Sequence, residues 1–155
     1  MVSITTSHTA KYSAAHNRHT KMVENTARKI LGKLCREFDI PEGEILVRPI
    51  KGSGVRGRCM PFRADGTFAI EIDCRINSER QVIETLAHEM THVEQYHQKR
   101  LAHVWGGRGW LREWTDEHGT MTFKKATTHN AYLRQPWEVE ARKRATEFVN
   151  KYFSN

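Results

Sequence analysis

The sequence predicts an α+β fold, and three observations carry that prediction. Apolar residues recur at helical spacing in three separate segments, short β-rich runs lie between the first two, and no strand–helix–strand alternation links them. At 155 residues the chain has the size of one ordinary domain, so residues 1–155 are expected to form a single domain around one modest core.

The first segment runs from about Lys21 to Phe38, where Val23, Ala27, Ile30, Leu31, Leu34 and Phe38 keep helical spacing until Asp39, Pro41 and Gly43 end it. Next, EILVRPI (Glu44–Ile50), RCMPF (Arg58–Phe62) and TFAIEID (Thr67–Asp73) read as short strands, the last two joined by the turn RADG. Together they predict a small antiparallel sheet of about three strands. In TFAIEID, Phe68, Ile70 and Ile72 are expected to face the core while Thr67, Ala69, Glu71 and Asp73 face out, on an edge strand able to pair with an extended peptide. A second helix is predicted from Ser78, an N-cap with Gln81 three residues on, through Lys99. Trp110–Phe123 favours neither helix nor strand. A last helix is predicted from Pro136, a residue suited to a first helical turn, to about Tyr152.

Composition narrows the function classes. No charged n-region with an apolar h-region opens the chain, and no apolar run approaches ~18 residues, so a soluble, unexported protein of the cytoplasm without membrane contact is expected. Cys35, Cys59 and Cys74 are odd in number and lack CxxC spacing, which argues against a disulfide framework or a thiolate knuckle and for buried thiols. The net charge of +7 favours polyanionic contacts. Its densest stretch, QKRLAHVWGGRGWLR (Gln98–Arg112), reads as a mobile basic surface loop in preference to a nucleic-acid groove, and any nucleic-acid contact should be weak and non-specific. GSGVRG (Gly52–Gly57) fits the GxGxxG pattern, but a strand follows it where a dinucleotide site needs a helix; it reads as a flexible hairpin loop.

The chemistry sits in HEMTH. His88 and His92 are one helical turn apart, so both imidazoles leave one face and reach a common ion at the ~2.0 Å of a zinc–nitrogen bond. Glu89 beside them can accept a proton from a metal-held water. Ile83, Leu86, Met90, Val93 and His97 or Leu101 form the apolar stripe of this helix, which leaves His88 and His92 on the opposite side with Thr85 and Gln95. A catalytic zinc needs a third protein ligand, and His118, Glu138 and Glu140 are the candidates. In the last helix the stripe Ala141, Ala145, Phe148, Tyr152 extends back to Glu138, which therefore points inward, while Glu140 falls in line with Arg144, Glu147 and Lys151 on the expected solvent face. An acidic residue on an apolar stripe requires a cationic partner, so the ligand set predicted is His88, His92 and Glu138.

HEMTH followed by PWEVEAR resembles the small, single-domain gluzincin-type metallopeptidases, including those encoded by bacteriophages, whose second segment reads PWE-x-EA. The resemblance covers about Ser78–Tyr152. It implies a zincin-like minimal metallopeptidase domain: Zn2+ held by His88, His92 and a glutamate of the second segment, Glu89 as general base, a protein or peptide substrate, a monomer, and the host cytoplasm for a phage-encoded protein. Larger gluzincins carry an aspartate four residues after the ligand glutamate; Arg142 stands there in this chain. HGTMTF (His118–Phe123) is similar to the HGxxF segment of SprT-like proteases, DNA-associated enzymes in which that histidine is the third ligand. A third expectation, of another class, is a zinc-bound module that binds nucleic acid or protein without turnover. Four residues were candidates for a transition-state hydrogen-bond donor: His118, His129, Tyr132 and Arg134.

Overall fold

Each predicted helix forms, and the strands between them assemble differently from the sequence expectation. The computed structural model describes residues 3–4, 14–41, 44–52, 54–61 and 66–154; Gly43, Phe62 and most of the RADG turn lie outside them. The first apolar stripe becomes α1 (Ala14–Glu37), seven residues longer at its start than its periodicity required, and Val23, Ala27, Ile30, Leu31 and Leu34 are completely buried along one side. Ser78 caps α2 (Glu79–His97), its side chain accepting the Gln81 amide, so the expected boundary holds. A single turn, α3 (His129–Leu133), leads into α4 (Pro136–Phe153), with Pro136 in the first turn.

The first sheet has four strands, β1 (Ser3–Ile4), β2 (Ile45–Ile50), β3 (Gly57–Pro61) and β4 (Phe68–Asp73), in the order β1-β2-β4-β3. It is mixed rather than antiparallel: β1, β2 and β4 run parallel, and only the β3–β4 hairpin is antiparallel. TFAIEID is thereby corrected from an edge strand to an inner one. Ile45 lies opposite Phe68 on one side and Cys59 opposite Ile70 on the other, which leaves β3 at one edge and β1 at the other. The alternation of that strand misled because every residue of β4 is buried. Its supposed outward acids are covered by arginines: Arg58 Nε donates to Glu71 at 2.5 Å, with Arg48 at 3.9 Å, and Arg75 clasps Asp73.

Gln98–Arg112 is likewise corrected. It folds as a hairpin of β5 (Leu101–Trp105) and β6 (Trp110–Asp116), extended by β7 (Gly119–Phe123) into a three-stranded antiparallel sheet. The main core joins α1, the first sheet, α2 and the later turns of α4, through Ile70, Ile83, Leu86, Met90, Ala145 and Phe148. A satellite cluster of Leu101, Trp114 and Trp137 fastens the second sheet to the start of α4. Neither residue expected to end the α2 stripe does so: His97 is exposed, and Leu101 is buried in β5. None of the three cysteines is in a disulfide; Cys35 and Cys74 are buried, but Cys59 only partly. No helix among the described residues is long and apolar enough to cross a membrane.

Candidate metal centre

Packing of α4 along α2 brings the three predicted ligands together. His88 and His92 leave the same face of α2, Glu138 enters from the first turn of α4, and their donor atoms lie within 4.8 Å of one another. The closest approaches are nearly equal: 3.2 Å between the two Nε2 atoms, 3.3 Å from His88 Nε2 to Glu138 Oε2, and 3.3 Å from His92 Nε2 to Glu138 Oε1. An ion bound tetrahedrally at ~2.0–2.1 Å separates its ligand atoms by ~3.3 Å; the two imidazole nitrogens meet that spacing, and each meets it with one oxygen of Glu138, a different oxygen for each histidine. The residues therefore fit a divalent ion. His88, Glu89 and Glu138 border a cavity of about 760 Å³, together with Gly57, Thr85 and Tyr132.

Electrostatics match the geometry. Burial opposes ionisation of Glu138, but hydrogen bonds from His88, His92 and Tyr132 outweigh it and hold the carboxyl well below the usual carboxylate range. The His92 imidazole is affected in the opposite sense: burial disfavours its cation, and Glu138 and Glu89 overcome that and raise its pKa. Burial raises the Glu89 carboxyl, the neighbouring His92 and His88 counter it, and the Glu138 charge pushes it further up. A carboxylate with an elevated proton affinity suits a group that must take up a proton and release it.

Behind the ligands runs a chain of hydrogen bonds. His92 Nδ1 meets Gln95 Oε1 at 2.8 Å, and Gln95 Nε2 donates to the Trp137 carbonyl at 3.1 Å and to Glu140 Oε2 at 2.7 Å. Both of those partners only accept, so the amide can be oriented in one way, His92 carries its proton on Nδ1, and the Nε2 lone pair is aimed at the metal position. Arg100 closes the chain with two 3.0 Å bonds to Glu140. Glu140 is thus corrected from a solvent-face residue paired along its own helix to the carboxylate that anchors the ligand's support; Arg144 turns instead to Glu94, and Lys151 to Glu37. Arg142, at the position of the expected aspartate, donates to the backbone carbonyls of Glu138 and Leu133 and ties α3 to α4.

His118 is elsewhere. It occupies the tight turn between β6 and β7, where its amide donates to Asp116 Oδ1, the following Gly119 takes φ 116°, and its side chain is 82% exposed. The HG pair here is hairpin chemistry, which needs a residue tolerant of positive φ. Of the four proposed donors, His129 and Tyr132 border the cavity, and Tyr132 hydrogen-bonds Glu138. Sequence reasoning missed Gly57, which ends the GSGVRG segment and opens β3. A β-carbon there would stand 2.6 Å from Thr85 Cγ2 and 3.0 Å from Glu89 Oε1, so the absence of a side chain lets the edge strand lie against the general-base candidate. The GxGxxG spacing could not reveal this, because the contact is tertiary. No family model, curated protein or solved structure matches the chain.

Proposed function

We propose that this protein is a zinc-dependent peptidase, on the strength of one observation: the convergence of the His88, His92 and Glu138 donor atoms within 4.8 Å of one another, beside a buried Glu89 and an open cavity. Nitrogen and carboxylate donors in a three-ligand set suit catalytic zinc better than a closed structural site, which favours turnover over a purely binding module. When bound, the ion supplies Lewis-acid polarisation of the scissile carbonyl and acidifies the attacking water. Glu89 receives the proton of that water and delivers it to the leaving amine. As the donor that stabilises developing oxyanion charge, Tyr132, which borders the cavity, is favoured over His118 in its exposed turn. The peptide platform is reassigned from β4 to β3, the edge strand whose first residue touches Glu89. The resemblance to gluzincin-type peptidases supports this reading, whereas the SprT-like alternative would need His118 at the metal and finds it in an exposed turn. The cytoplasm remains the proposed compartment.

The test is metal analysis after dialysis, with peptide-library cleavage. Glu138→Ala should lose zinc, His118→Ala should keep it, and Glu140→Ala should weaken affinity on the order of tenfold by releasing Gln95 and His92. Glu89→Gln should keep zinc and lose cleavage. Zinc lost from His118→Ala and kept by Glu138→Ala would sink the ligand assignment; wild-type cleavage by Glu89→Gln would sink the mechanism.

A further inference from the structure

A second cavity, about 570 Å³, opens between the β5–β6 hairpin and the segment leading into α4, and it shares the walls Tyr132 and Ala126 with the metal cavity. Trp110 and Leu111 give it an apolar side, and Arg112 and Lys125 bring two positive charges to it. Arg58, Arg75, Arg100 and Arg144 each pair with a carboxylate, whereas neither Arg112 nor Lys125 forms an ion pair among the described residues. Arg56 and Arg142, on the metal cavity, likewise form no ion pair among the described residues. Arg112 is nevertheless held in place: its Nε donates to His103 Nε2 at 3.3 Å, and its guanidinium lies 5.5 Å from the centre of the Trp137 ring. Its charge is felt at Tyr132, on the shared wall. Gln135, only 8% exposed, also borders this cavity, and its Oε1 is buried without a hydrogen-bond partner.

We propose that this cavity is a subsite for a carboxylate of the substrate, bound by Arg112 and Lys125 at a position flanking the scissile bond. A guanidinium fixed by packing offers a carboxylate two parallel hydrogen bonds at little ordering cost, and the lysine adds a second charge. The carboxylate belongs either to an Asp or Glu side chain or to the C-terminus of the peptide; the net charge of +7 steers either toward the protein. The subsite rests on the peptidase reading for its role, and its binding chemistry can be read without turnover.

The experiment uses zinc-loaded Glu89→Gln protein, with Trp110 as the fluorescent reporter, and five-residue alanine peptides carrying glutamate or glutamine at the centre, each as free acid and as amide. Peptides with the preferred carboxylate should bind at least about tenfold tighter than their neutral counterparts, and the Glu/Gln and acid/amide arms identify which carboxylate is read. Arg112→Gln and the surface variant Lys125→Gln should each erase much of that preference, and Arg112→Lys should restore part of it. Equal binding of all four peptides overturns the subsite, as does a preference that survives both charge removals or an Arg112-dependent affinity for oligothymidylate alone. Wild-type cleavage of library peptides without acidic preference overturns the subsite and leaves the peptidase standing. Arg112-dependent binding with no cleavage of any peptide supports the subsite and removes the peptidase.

Discussion

Gly57 illustrates how much of this site depends on a missing atom. The edge strand reaches the general-base candidate only because no β-carbon intervenes; with one, Thr85 Cγ2 at 2.6 Å and Glu89 Oε1 at 3.0 Å must both move. Catalysis depends on the placement of the base far more steeply than folding does. Gly57→Ala is therefore expected to lower kcat/KM on the order of 10- to 100-fold with zinc content unchanged. Adding Thr85→Ser, which removes the nearer clashing methyl, should recover part of the loss. Unchanged kinetics in Gly57→Ala, measured on any peptide the wild type cleaves, would show that β3 does not set the position of Glu89. At this scale the ligands were legible and their supports were not. His88, His92 and Glu89 are local in sequence, and Glu138 is betrayed by its place on an apolar stripe. Gln95, Glu140 and Arg100 become a chain only when α2, α4 and the β5 entry meet, and each residue alone has an ordinary surface explanation.

Elements divide in the same way. All three long helices were legible because each buries a continuous stripe, a signal that repeats over many residues. The second sheet escaped because its strands sit on the surface: in β5 and β6 only Leu101 and Trp114 are buried, too few to print an alternation. That sheet owes its attachment to Trp137, whose fully buried ring packs edge-on to Phe123, 5.1 Å between ring centres, and beneath Trp114 at 6.3 Å. The Trp137 indole N–H finds no partner in this cluster, so its ring is held by packing alone. Trp137→Ala should consequently cost about 3–5 kcal/mol in urea unfolding, whereas Trp137→Phe, which keeps most of the ring volume and removes the unpaired donor, should cost less than about 1.5 kcal/mol. Equal losses in the two variants would mean that the indole nitrogen, and not the ring, holds the sheet.

For the whole molecule, the residues that could hold an ion span the junction between α2 and α4, so in the proposed reading ion binding and stability are one equilibrium. Without an ion, His92 and Glu138 pair across the junction in addition to its apolar packing, and their opposite pKa shifts give opposite pH dependences. Glu138 is held below its usual 4.5, so its contribution is complete above that value and is lost only as the pH falls through the lower folded value. His92 is raised above its usual 6.5; its contribution is complete below that value and fades as the pH rises through the raised folded value. Between about pH 6 and pH 8, then, Glu138 is constant and the metal-free junction weakens as His92 gives up its proton. Zinc binding runs the other way, since it requires neutral imidazoles and competes with protons for them. The rise in Tm produced by zinc should accordingly grow from about pH 6 to about pH 8, reaching the equivalent of about 2.7 kcal/mol where free zinc is a hundredfold above Kd. Melting curves with chelator and with zinc across that range provide the check, with Glu138→Ala as the control that should show little rise at any pH. A zinc-induced rise that is flat with pH, or one that persists in Glu138→Ala, would mean that the ion binds elsewhere.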